Sequence, residues 1–547
     1  MAAQQPERAA LEIPRGRTRS GEIDYLTLTF AELDAEVNAW CARLAAKGIR
    51  RGDRTLVMVR QGLPLIASAF ALFKLGAVPV VIDPGMGLKS FLGCVERSRP
   101  RALVGIPLAR LVSHVFRRAF ATVEVRVTAS SSLTARLAPP GAKGATVAAQ
   151  LAESAPNELA AILFTSGSTG APKGVCYEHG MFDAQVRSIR ETYGIEPGEI
   201  DLPLLPIFAL FNPALGMTTV VPEIDPRRPA AVDPAKIVQA IRQKNVTNSF
   251  GSPTLWRKIG EHCRQQLVTL PSLRRVLCAG APVPGELWEA SRDFLPRGQL
   301  HSPYGATEAL PVATISRAEL FASNERPAPT ATPRGACVGR PVAGIDVKLI
   351  AIDEEPIATL ADARELPAGE IGEIIVRGPV VTKVYDAAPK ATALAKIKDS
   401  SGAGAAVWHR MGDCGYCDTE GRLWFCGRKA ERVVTFTETL YTEPCERIFR
   451  THPRVRRCAL IGLGERGRQR PAIVVEVETE MEDSAQCRAF ARELRALALE
   501  FEATLAIKTF YFRPNFPVDV RHNAKIHRHT LAQWAATAKG YESDPKR

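Results

Sequence analysis

The sequence predicts an α/β protein with a large N-terminal domain of largely parallel sheets, a β-rich subdomain and a small C-terminal α/β domain. Three observations predict this fold class. Short apolar runs alternate with segments of helical periodicity, a loop rich in glycine and hydroxyl side chains directly follows one such run, and the alternation starts again after Gly427. At 547 residues the chain is too long for one ordinary core, so more than one domain is expected.

The first elements of the N-terminal domain follow from periodicity. The segment Thr27–Leu44 has apolar residues at helical spacing behind a Thr-x-x-Glu start, which predicts a capped amphipathic helix. Strands are predicted at "GDRTLVMVR", "RALVGI" and "ELAAILFTSGS", and "LPLIASAFALFKLGAVPVVID" predicts a buried helix ending near Gly76 and a strand at Val78–Ile82. Because these runs are apolar on both faces, the strands are expected to be parallel and covered by helices.

The later elements change in character. The runs "VKLIAID" and "GEIGEIIVRG" are bounded by Pro or Gly and predict strands of the β-rich subdomain. After "GRLWFCGRKAER", the runs "RVRRCALIGLG" and "PAIVVEVETE" and the helical "AQCRAFARELRALALEFE" indicate a separate α/β domain. We therefore predict two domains, residues 1–427 and residues 428–547.

Composition and charge indicate which class of partner the protein binds and in which cellular compartment it is found. The net charge of +13 is spread along the chain, with no run of five like charges and no basic helix interleaved with aromatics, which argues against nucleic acid. Such a charge suits an anionic substrate or a weak association with a membrane surface. Lys74, Gly76 and Pro79 interrupt the longest apolar stretch, so no transmembrane span is expected. No signal-peptide core is visible and twelve cysteines lack a repeating spacing, so a reducing, cytoplasmic location is predicted.

The glycine- and hydroxyl-rich loop "LFTSGSTGAPKGV" predicts an anion site. Its glycines let backbone N–H groups approach a ligand, and its hydroxyls add donors, which together suit phosphate. The loop is not a Walker A sequence, because Gly-Ala-Pro-Lys stands where Gly-Lys-Ser/Thr is required. The candidate phosphate-binding residues are Thr165, Ser166, Gly167, Ser168, Thr169, Gly170 and Lys173.

This loop resembles the phosphate loop of the adenylate-forming superfamily, which includes acyl-CoA synthetases, luciferases and peptide-synthetase adenylation domains. The resemblance implies the adenylate-forming enzyme fold with a mobile C-terminal domain, and ATP and Mg²⁺ as ligands. The stretch "YGATE" resembles a second signature of the superfamily, in which Tyr304 and Gly305 lie near the nucleotide, Thr307 contacts the α-phosphate and Glu308 holds Mg²⁺. The segment Gly280, Ala281 and Pro282 resembles the one that flanks the adenine.

Two further stretches resemble the ribose-binding and catalytic motifs. In "MGDCGYCDTEGRLWFCGR", Asp413 would accept hydrogen bonds from the ribose hydroxyls, with Arg428 beside the same sugar. In "PVDVRHNAKIHR", the resemblance carries over Lys525 as the catalytic lysine, whose ammonium would stabilise charge that develops at phosphorus. Together with Thr307 and Glu308, Lys525 completes the predicted catalytic set.

The chain departs from acyl-CoA synthetases at the hinge. No glycine occurs between Gly427 and Gly462, and Phe436 and β-branched residues stand where a glycine-containing loop lies near the pantetheine path. Ala430 occupies the hinge position, Ala524 precedes the lysine, and Ala209 stands where a gating histidine is common. These changes leave adenylation intact and put delivery of CoA in doubt.

The continuation "EHGMFDAQ" of the phosphate loop resembles one branch of the superfamily, the β-lactone synthetases of bacterial long-chain olefin biosynthesis. This resemblance implies that the substrate is a 2-alkyl-3-hydroxyalkanoic acid whose own β-hydroxyl replaces an external thiol. It also implies partners in the same pathway, namely a thiolase, a reductase and a lactone decarboxylase. The apolar residues Phe208, Phe211, Met217 and Phe250 are candidates for an acyl pocket and equally for ordinary core.

Other interpretations stay open at this point. A fatty acyl-CoA ligase or acyl-AMP ligase differs from the leading hypothesis in whether CoA is consumed. A noncatalytic nucleotide-binding or scaffold subunit would not need the predicted lysine. The pair Cys414 and Cys417 and the histidines 522, 527 and 529 are weak metal candidates, because a second pair or carboxylate partners at ligand spacing are missing from the sequence.

Overall fold

The protein is described here by a computed structural model that covers residues 1–129, 153–165, 172–225, 231–322, 335–399, 406–477, 483–518 and 526–543. The chain divides into two compact units. The first comprises residues 1–312, 342–345 and 378–396, and the second comprises residues 313–341, 346–377 and 397–547. The predicted boundary between residues 427 and 428 falls inside the second unit and stays a prediction.

The first unit contains two largely parallel sheets with their helices. Its strands are β1 (Ala9–Arg17), β2 (Ile23–Thr29), β3 (Arg54–Met58), β4 (Val78–Ile82), β5 (Ala102–Gly105), β6 (Val125–Thr128), β7 (Leu159–Thr165), β8 (Lys173–Glu178), β9 (Ile200–Asp201), β10 (Thr218–Val220), β11 (Asn248–Gly251), β12 (Arg275–Cys278) and β13 (Gln299–Ala306). Its helices are α1 (Phe30–Ala46), α2 (Leu63–Lys74), α3 (Leu88–Ser98), α4 (Pro107–Val115), α5 (His179–Tyr193), α6 (Asn212–Leu215), α7 (Pro234–Lys244), α8 (Pro253–Gln265), α9 (Gly285–Phe294) and, from residues 378–396, Pro389–Ala395. Short 3₁₀ turns lie at Pro84–Met86 and Pro206–Leu210.

Strand order explains why ligand-binding candidates converge in this unit. One sheet has the strand order β6-β5-β3-β4-β7-β8, and all its neighbouring strands are parallel except the last pair, β7 and β8, which is antiparallel. The other has the order β13-β12-β11-β9-β10-β1-β2, and its neighbouring strands are parallel except the last pair, β1 and β2, which is antiparallel. In parallel sheets the carboxyl ends of neighbouring strands meet at one edge, where ligands bind. The loop after β7 and the turns after β12 and β13 all begin at such ends.

The predicted elements near the N-terminus are confirmed with one correction. Helix α1 begins at Phe30 rather than at Thr27, because Thr27 and Leu28 pair with β1 as part of β2. The capping box is formed by Thr29 and Glu32, with the Thr29 hydroxyl 3.2 Å from the Glu32 N–H and the Glu32 carboxylate 2.8 Å from the Thr29 N–H. The apolar stretch forms α2 and β4 as predicted, and in the described part of the chain no helix has the length and apolarity to cross a membrane.

The second unit combines antiparallel strands with a smaller α/β region. After β14 (Ala309–Ser316), which begins in the first unit, the strands are β15 (Ala336–Pro341), β16 (Asp346–Ile350), β17 (Gly372–Arg377), β18 (Lys396–Asp399), β19 (Ala406–Cys417), β20 (Leu423–Arg428), β21 (Val433–Val434), β22 (Thr439–Leu440), β23 (Arg457–Leu463), β24 (Arg470–Glu476), β25 (Thr509–Arg513) and β26 (Tyr541–Glu542). Its helices are Arg317–Ala322, Thr442–Phe449, Ser484–Ala498 and Arg528–Ala535, with 3₁₀ turns at Leu360–Asp362, Lys429–Glu431 and Glu502–Thr504. The strands predicted at "VKLIAID" and "GEIGEIIVRG" are β16 and β17, which pair antiparallel.

The C-terminal part of the second unit has its own apolar core. Strands β23 to β26 form a four-stranded sheet, and the helix Ser484–Ala498 packs its buried face against it. Phe449, Phe490 and Phe510 are fully buried there. The sequence-based expectation of an α/β unit in this region is confirmed at the level of its elements.

All twelve cysteines are free thiols, and ten of them are buried. Burial raises the pKa of eleven of these thiols, including Cys41 to about 11 and Cys414 to about 12. They therefore serve as small core side chains.

Candidate active site

The turn between β13 and β14 carries Thr307 and Glu308. Hydrogen bonds from two other segments of the same chain hold this turn in place. The Tyr177 hydroxyl donates a short hydrogen bond to the Thr307 carbonyl. The N–H and hydroxyl of Thr382 both donate to the Glu308 carbonyl, at 2.9 and 3.1 Å. Gly305 is required at the entrance to this turn, because a Cβ there would lie 2.6 Å from the Ala309 carbonyl oxygen. Both backbone carbonyls of the turn are thus fixed.

The Glu308 carboxylate is oriented by one phenol. The Tyr385 hydroxyl donates to Glu308 Oε1 at 2.8 Å, and among the described residues no group donates to Oε2. Burial, and next the Glu308 charge, raise the pKa of Tyr385, so its phenol stays protonated and keeps donating. Tyr177 is likewise protonated, because burial raises its pKa. One carboxylate oxygen is thus anchored while the other is available.

This donor set fits Mg²⁺. Magnesium prefers oxygen ligands and is commonly held by one or two carboxylates together with substrate phosphates, rather than by a cage of protein groups. Glu308 supplies one such carboxylate at the end of β13, and no group of three or more His, Cys, Asp or Glu at ligand spacing occurs in the ranges that the structure describes.

Two lysines lie over the Tyr385 ring. Lys173 Nζ is 5.1 Å and Lys396 Nζ is 5.8 Å from the ring centroid. Lys173 begins β8, and its Cα pairs with that of Thr165 at the end of β7, so the two described ends of the predicted phosphate loop lie side by side, with Lys173 over this ring. The five predicted residues between them, Ser166, Gly167, Ser168, Thr169 and Gly170, lie outside the described residues.

The predicted adenine segment lies at the end of the strand next to β13. Gly280, Ala281 and Pro282 form the turn between β12 and α9, and Gly280 has φ +97°, a conformation that favours glycine. Because β12 and β13 are parallel neighbours, this turn and Tyr304 extend from the same edge of the sheet. The first unit therefore brings together the predicted phosphate, metal and adenine residues that the structure describes.

The predicted ribose residues meet in the second unit. Asp413 in β19 and Arg428 in β20 are cross-strand partners, and Arg428 Nη1 is 2.9 Å from Asp413 Oδ1. The Asp413 side chain is buried and Arg428 is about one third exposed. The carboxylate is therefore paired with the guanidinium that was predicted to stand beside the same sugar. The predicted catalytic Lys525 lies outside the described residues.

The segment that follows Arg428 is tied to the β-rich sheet by charged groups. Lys429 Nζ is 3.1 Å from Glu373 Oε1, and Arg410 forms a second ion pair of 2.6 Å with the same carboxylate, which is almost fully buried. Ala430 and Glu431 come next, and Arg432 pairs with Glu354 at 2.7 Å. Burying a charge is unfavourable unless it is paired, so these pairs hold the predicted hinge segment against this sheet in the conformation described.

Arg528 links the residues beside the predicted catalytic lysine to the hinge. Its guanidinium contacts Glu446 at 2.8 and 2.9 Å and Glu431 at 2.8 Å. The Glu446 carboxylate also accepts the Leu460 N–H at 2.9 Å. Burial raises the pKa of Glu446, and the Arg528 guanidinium opposes that rise.

The weaker metal candidates find little support in the described residues. Cys414 and Cys417 lie on one strand, and burial raises the pKa of both thiols, which disfavours the thiolate that a metal needs. His527 and His529 are exposed, and His522 lies outside the described residues. We therefore assign no ligand role to Cys414, Cys417, His527 or His529.

Several residues of the site escaped the sequence analysis. Tyr177 lies in β8, between the quoted phosphate loop and its "EHGMFDAQ" continuation, and Thr382, Tyr385 and Lys396 lie in residues 378–396, which match none of the signatures named above. The one available signal is Lys396 itself, a lysine between the apolar residues of "ALAKI". Only the folded chain brings it to Glu308.

Fold and site together define an AMP-binding, adenylate-forming enzyme. The model of the AMP-binding enzyme family matches residues 1–386, and the chain belongs to this family. Over nearly its whole length the chain is similar to two named proteins. It is 45% identical to the olefin beta-lactone synthetase of Xanthomonas campestris pv. campestris over 98% of this chain and 96% of that protein, and 45% identical to that of Stenotrophomonas maltophilia with the same coverage. It is 30% identical to a feruloyl-CoA synthase from an Amycolatopsis species over 85% of this chain and 87% of that protein.

Solved structures agree on the fold. The amide bond synthetase McbA from Marinactinospora thermotolerans superposes with a TM-score of 0.75 at 23% identity, covering 97% of each chain. The o-succinylbenzoate coenzyme A synthetase of Bacillus subtilis in complex with AMP superposes with a TM-score of 0.73 at 22% identity, covering 99% of this chain and 98% of that one. The predicted fold class is confirmed.

Proposed function

We propose that the protein is an ATP-dependent acid-activating ligase that converts a 2-alkyl-3-hydroxyalkanoic acid into a β-lactone, with release of AMP and pyrophosphate. The observation that carries this proposal is the 45% identity to two olefin beta-lactone synthetases across almost the whole of both chains. Such coverage includes every segment from which the site is built. By the same argument we place the activity in olefin biosynthesis, and we take the long-chain character of the substrate from the sequence resemblance.

In the first step a carboxylate oxygen of the acid attacks the α-phosphorus of ATP in line, and the bond from that phosphorus to the bridging oxygen of pyrophosphate breaks. Catalysis of such a transfer rests on positioning and charge neutralisation. Thr307 would contact the α-phosphate from a turn fixed by Tyr177 and Thr382, and Lys173 would approach the phosphates from the first residue of β8. Mg²⁺ at Glu308 would neutralise phosphate charge. Lys525 would stabilise the charge at the reacting phosphorus.

The remaining predicted residues would bind and orient the nucleotide. The turn Gly280–Pro282 would flank the adenine, and Asp413 would accept hydrogen bonds from the ribose hydroxyls. Support for Asp413 comes from its pairing with Arg428, because this ion pair holds the buried side chain in place, and a carboxylate is a strong hydrogen-bond acceptor. The loop residues 166–170 would surround the phosphates with N–H and hydroxyl donors.

In the second step the β-hydroxyl oxygen attacks the activated carbonyl carbon, forming the ring C–O bond. The bond from that carbon to the AMP oxygen breaks, AMP leaves with the electron pair, and the hydroxyl proton ends in the buffer. The product is the acid less one water. Closure needs the hydroxyl held against the carbonyl and needs water excluded, since water would hydrolyse the mixed anhydride.

An apolar cluster beside the adenine turn supports a lipid-like substrate. Leu205, Phe250 and Ala279 are buried together with the partly buried Phe208, and the rings of Phe208 and Phe250 stack at 3.6 Å. These residues follow or end the parallel strands β9, β11 and β12, at the ligand-binding edge of the sheet. Met217 is buried with Tyr193 in a second cluster, which is ordinary core. Phe211 packs against that second cluster, and its ring centroid also lies 6.3 Å from that of Phe208. We therefore assign Phe208 and Phe250 to the wall of the acyl pocket, with Phe211 behind Phe208.

The β21–β22 hairpin, which follows the predicted hinge residue Ala430, supports a reaction without CoA. Strands β21 and β22 enclose a turn in which the Thr435 hydroxyl accepts hydrogen bonds from the N–H groups of Thr437 and Glu438. Phe436 at its tip is 82% exposed. The turn is therefore fixed by side-chain bonds and carries a bulky ring where the resemblance expects a glycine-containing loop. An acyl-CoA or acyl-AMP ligase is the alternative function, favoured by the 30% identity to a feruloyl-CoA synthase.

The substrate is a small acyl molecule. We further propose a cytoplasmic location and functional partnership with the thiolase, reductase and lactone decarboxylase of the olefin pathway. The proposal extends to a C-terminal domain, residues 428–547, that moves between the two steps.

The test is mass spectrometry of products from purified protein, MgATP and a synthetic 2-alkyl-3-hydroxy fatty acid, with and without CoA. A product lighter than the acid by one water, formed with AMP and indifferent to CoA, is the expected result. An unbranched acid without the hydroxyl is the matched control and should yield no lactone. A CoA thioester from the hydroxy acid would refute lactone closure, and undiminished turnover by Lys525→Ala would favour a noncatalytic role for the C-terminal segment.

A further inference from the structure

Lys396 is a buried amine that the proposed reaction does not use. It follows the short helix Pro389–Ala395 and is only 8% exposed. No described carboxylate forms an ion pair with it, and its Nζ donates instead to the carbonyl and to the hydroxyl of Thr382, the latter at 3.2 Å. A lysine is seldom fully buried unless its amine is paired. Its position therefore calls for a role that an apolar residue would not fill.

The contacts of Thr382 connect Lys396 to the metal candidate. Thr382 is almost fully buried, and its N–H and hydroxyl both donate to the Glu308 carbonyl. The hydroxyl thus accepts from Lys396 and donates to Glu308, so its rotamer is set by the amine. The amine donates these bonds whether it carries two protons or three, because a neutral amine still has two N–H groups.

The same short helix also places the phenol that orients the Glu308 carboxylate. The Tyr385 N–H donates to the Thr392 hydroxyl at 3.1 Å, and that hydroxyl donates to the Ala388 carbonyl at 3.0 Å. Tyr385 in turn donates to Glu308 Oε1, and its ring lies under the Lys396 amine. Backbone and carboxylate of Glu308 are therefore both held by residues 382–396.

We propose that Lys396 is a positioning residue for Mg²⁺ binding: through Thr382 and the Tyr385 ring it fixes the Thr307–Glu308 turn in the orientation that ligates nucleotide-bound Mg²⁺. The inference rests on the proposed function in one respect, the role of Glu308 as the metal ligand. A methionine at this position would keep the length of the side chain and remove both donors. The buried carbonyl and hydroxyl of Thr382 would then lose their partner, and the turn would be free to shift.

The experiment is a calorimetric titration of ATP into the full-length protein, once with excess Mg²⁺ and once with EDTA, without acid substrate. In the wild type, Mg²⁺ should strengthen ATP binding. In Lys396→Met that Mg²⁺-dependent gain should fall by roughly 10–100-fold, the usual cost of removing a residue that orients a metal ligand. Binding of AMP in EDTA should stay unchanged, which a general loss of structure would not allow. Lys390→Met, at an exposed position of the same helix, is the matched control and should behave like the wild type.

A second variant covers the case in which Lys396→Met does not fold. Thr382→Val keeps the shape and the N–H but removes the hydroxyl that joins the amine to Glu308, and it should reduce the same gain in the same direction. An unchanged gain in either folded variant would overturn the proposal, as would ATP binding by the wild type that is indifferent to Mg²⁺. Failure of the proposed function is seen separately, as absence of lactone in the product assay with metal-dependent ATP binding intact.

Discussion

Lys396 makes the stability of the protein depend on pH in a direction that can be worked out. Burial lowers the pKa of this amine from its ordinary value of 10.5 to about 7, against a smaller opposing effect of the Glu308 charge. Between these two values the unfolded chain binds the proton and the folded chain does not. Stability therefore rises with pH over this interval, and the amine contributes no slope below it, where both states are protonated. The slope approaches about 1.4 kcal/mol per pH unit once the folded amine is neutral.

The magnitude follows from that slope. From pH 7 to pH 9 the free energy of unfolding should rise by about 2 kcal/mol because of Lys396 alone, since the slope at pH 7 is only half its limit. Lys396→Met has no group to titrate and should lack this rise. Urea unfolding at pH 7, 8 and 9, analysed as the difference between wild type and variant, measures the effect directly. Lys390→Met should retain the wild-type slope, because an exposed lysine meets a similar environment in both states.

One result would refute the reasoning. If wild type and Lys396→Met keep a constant difference in unfolding free energy from pH 7 to pH 9, the amine is not titrating within this interval. If the free energy of unfolding of the wild type minus that of Lys396→Met falls as pH rises, the sign of the predicted effect is wrong. Either outcome would mean that a charge partner keeps Lys396 protonated in the folded protein.

Three further perturbations test the other parts of the site. Tyr385→Phe removes the hydrogen bond to Glu308, and a bond to a charged group is worth about 1.5–3 kcal/mol, so kcat should fall by roughly 10–100-fold. Steady-state kinetics of pyrophosphate release measure the effect, and an unchanged kcat contradicts it. Asp413→Asn should weaken AMP binding in EDTA by a similar free energy, and equal Kd values in calorimetry would remove Asp413 from the ribose site. Arg528→Met leaves Glu446 buried without its cation and should destabilise the protein by about 3–5 kcal/mol in urea unfolding, with a loss under about 1 kcal/mol as the contrary result.

The sheets were largely predictable because a strand that is buried on both faces appears in the sequence as a run of apolar residues. Strands β3, β4, β5 and β7 each contain a run of at least three consecutive apolar residues, and each appears where the sequence predicts it. The antiparallel direction of β8 was not predicted. Only seven residues separate it from β7, too few for the crossover that a parallel neighbour needs, so chain length already contained this information.

The sequence proposes candidate-site residues where the site is made of local turns, and not where it depends on distant segments. Thr307 and Glu308 sit in a short contiguous signature, and so do Asp413 and the turn at Gly280. The groups that orient Glu308 come from 74 and 77 residues further along the chain. A single hydrogen bond between such distant segments leaves no periodicity in the sequence, so the link from Thr382, Tyr385 and Lys396 to Glu308 appears only in the folded chain.

The burial of the native thiols has a practical consequence for following this enzyme in solution. Maleimide and iodoacetamide reagents attack thiolates, and a buried thiol with a raised pKa offers very little thiolate at neutral pH. Only Cys337 and Cys417 are even partly accessible, and burial raises the pKa of both. A cysteine introduced at the exposed Phe436 should therefore take up a fluorophore selectively with all twelve native cysteines in place. The hairpin tip can then report on its surroundings during turnover without a cysteine-free background.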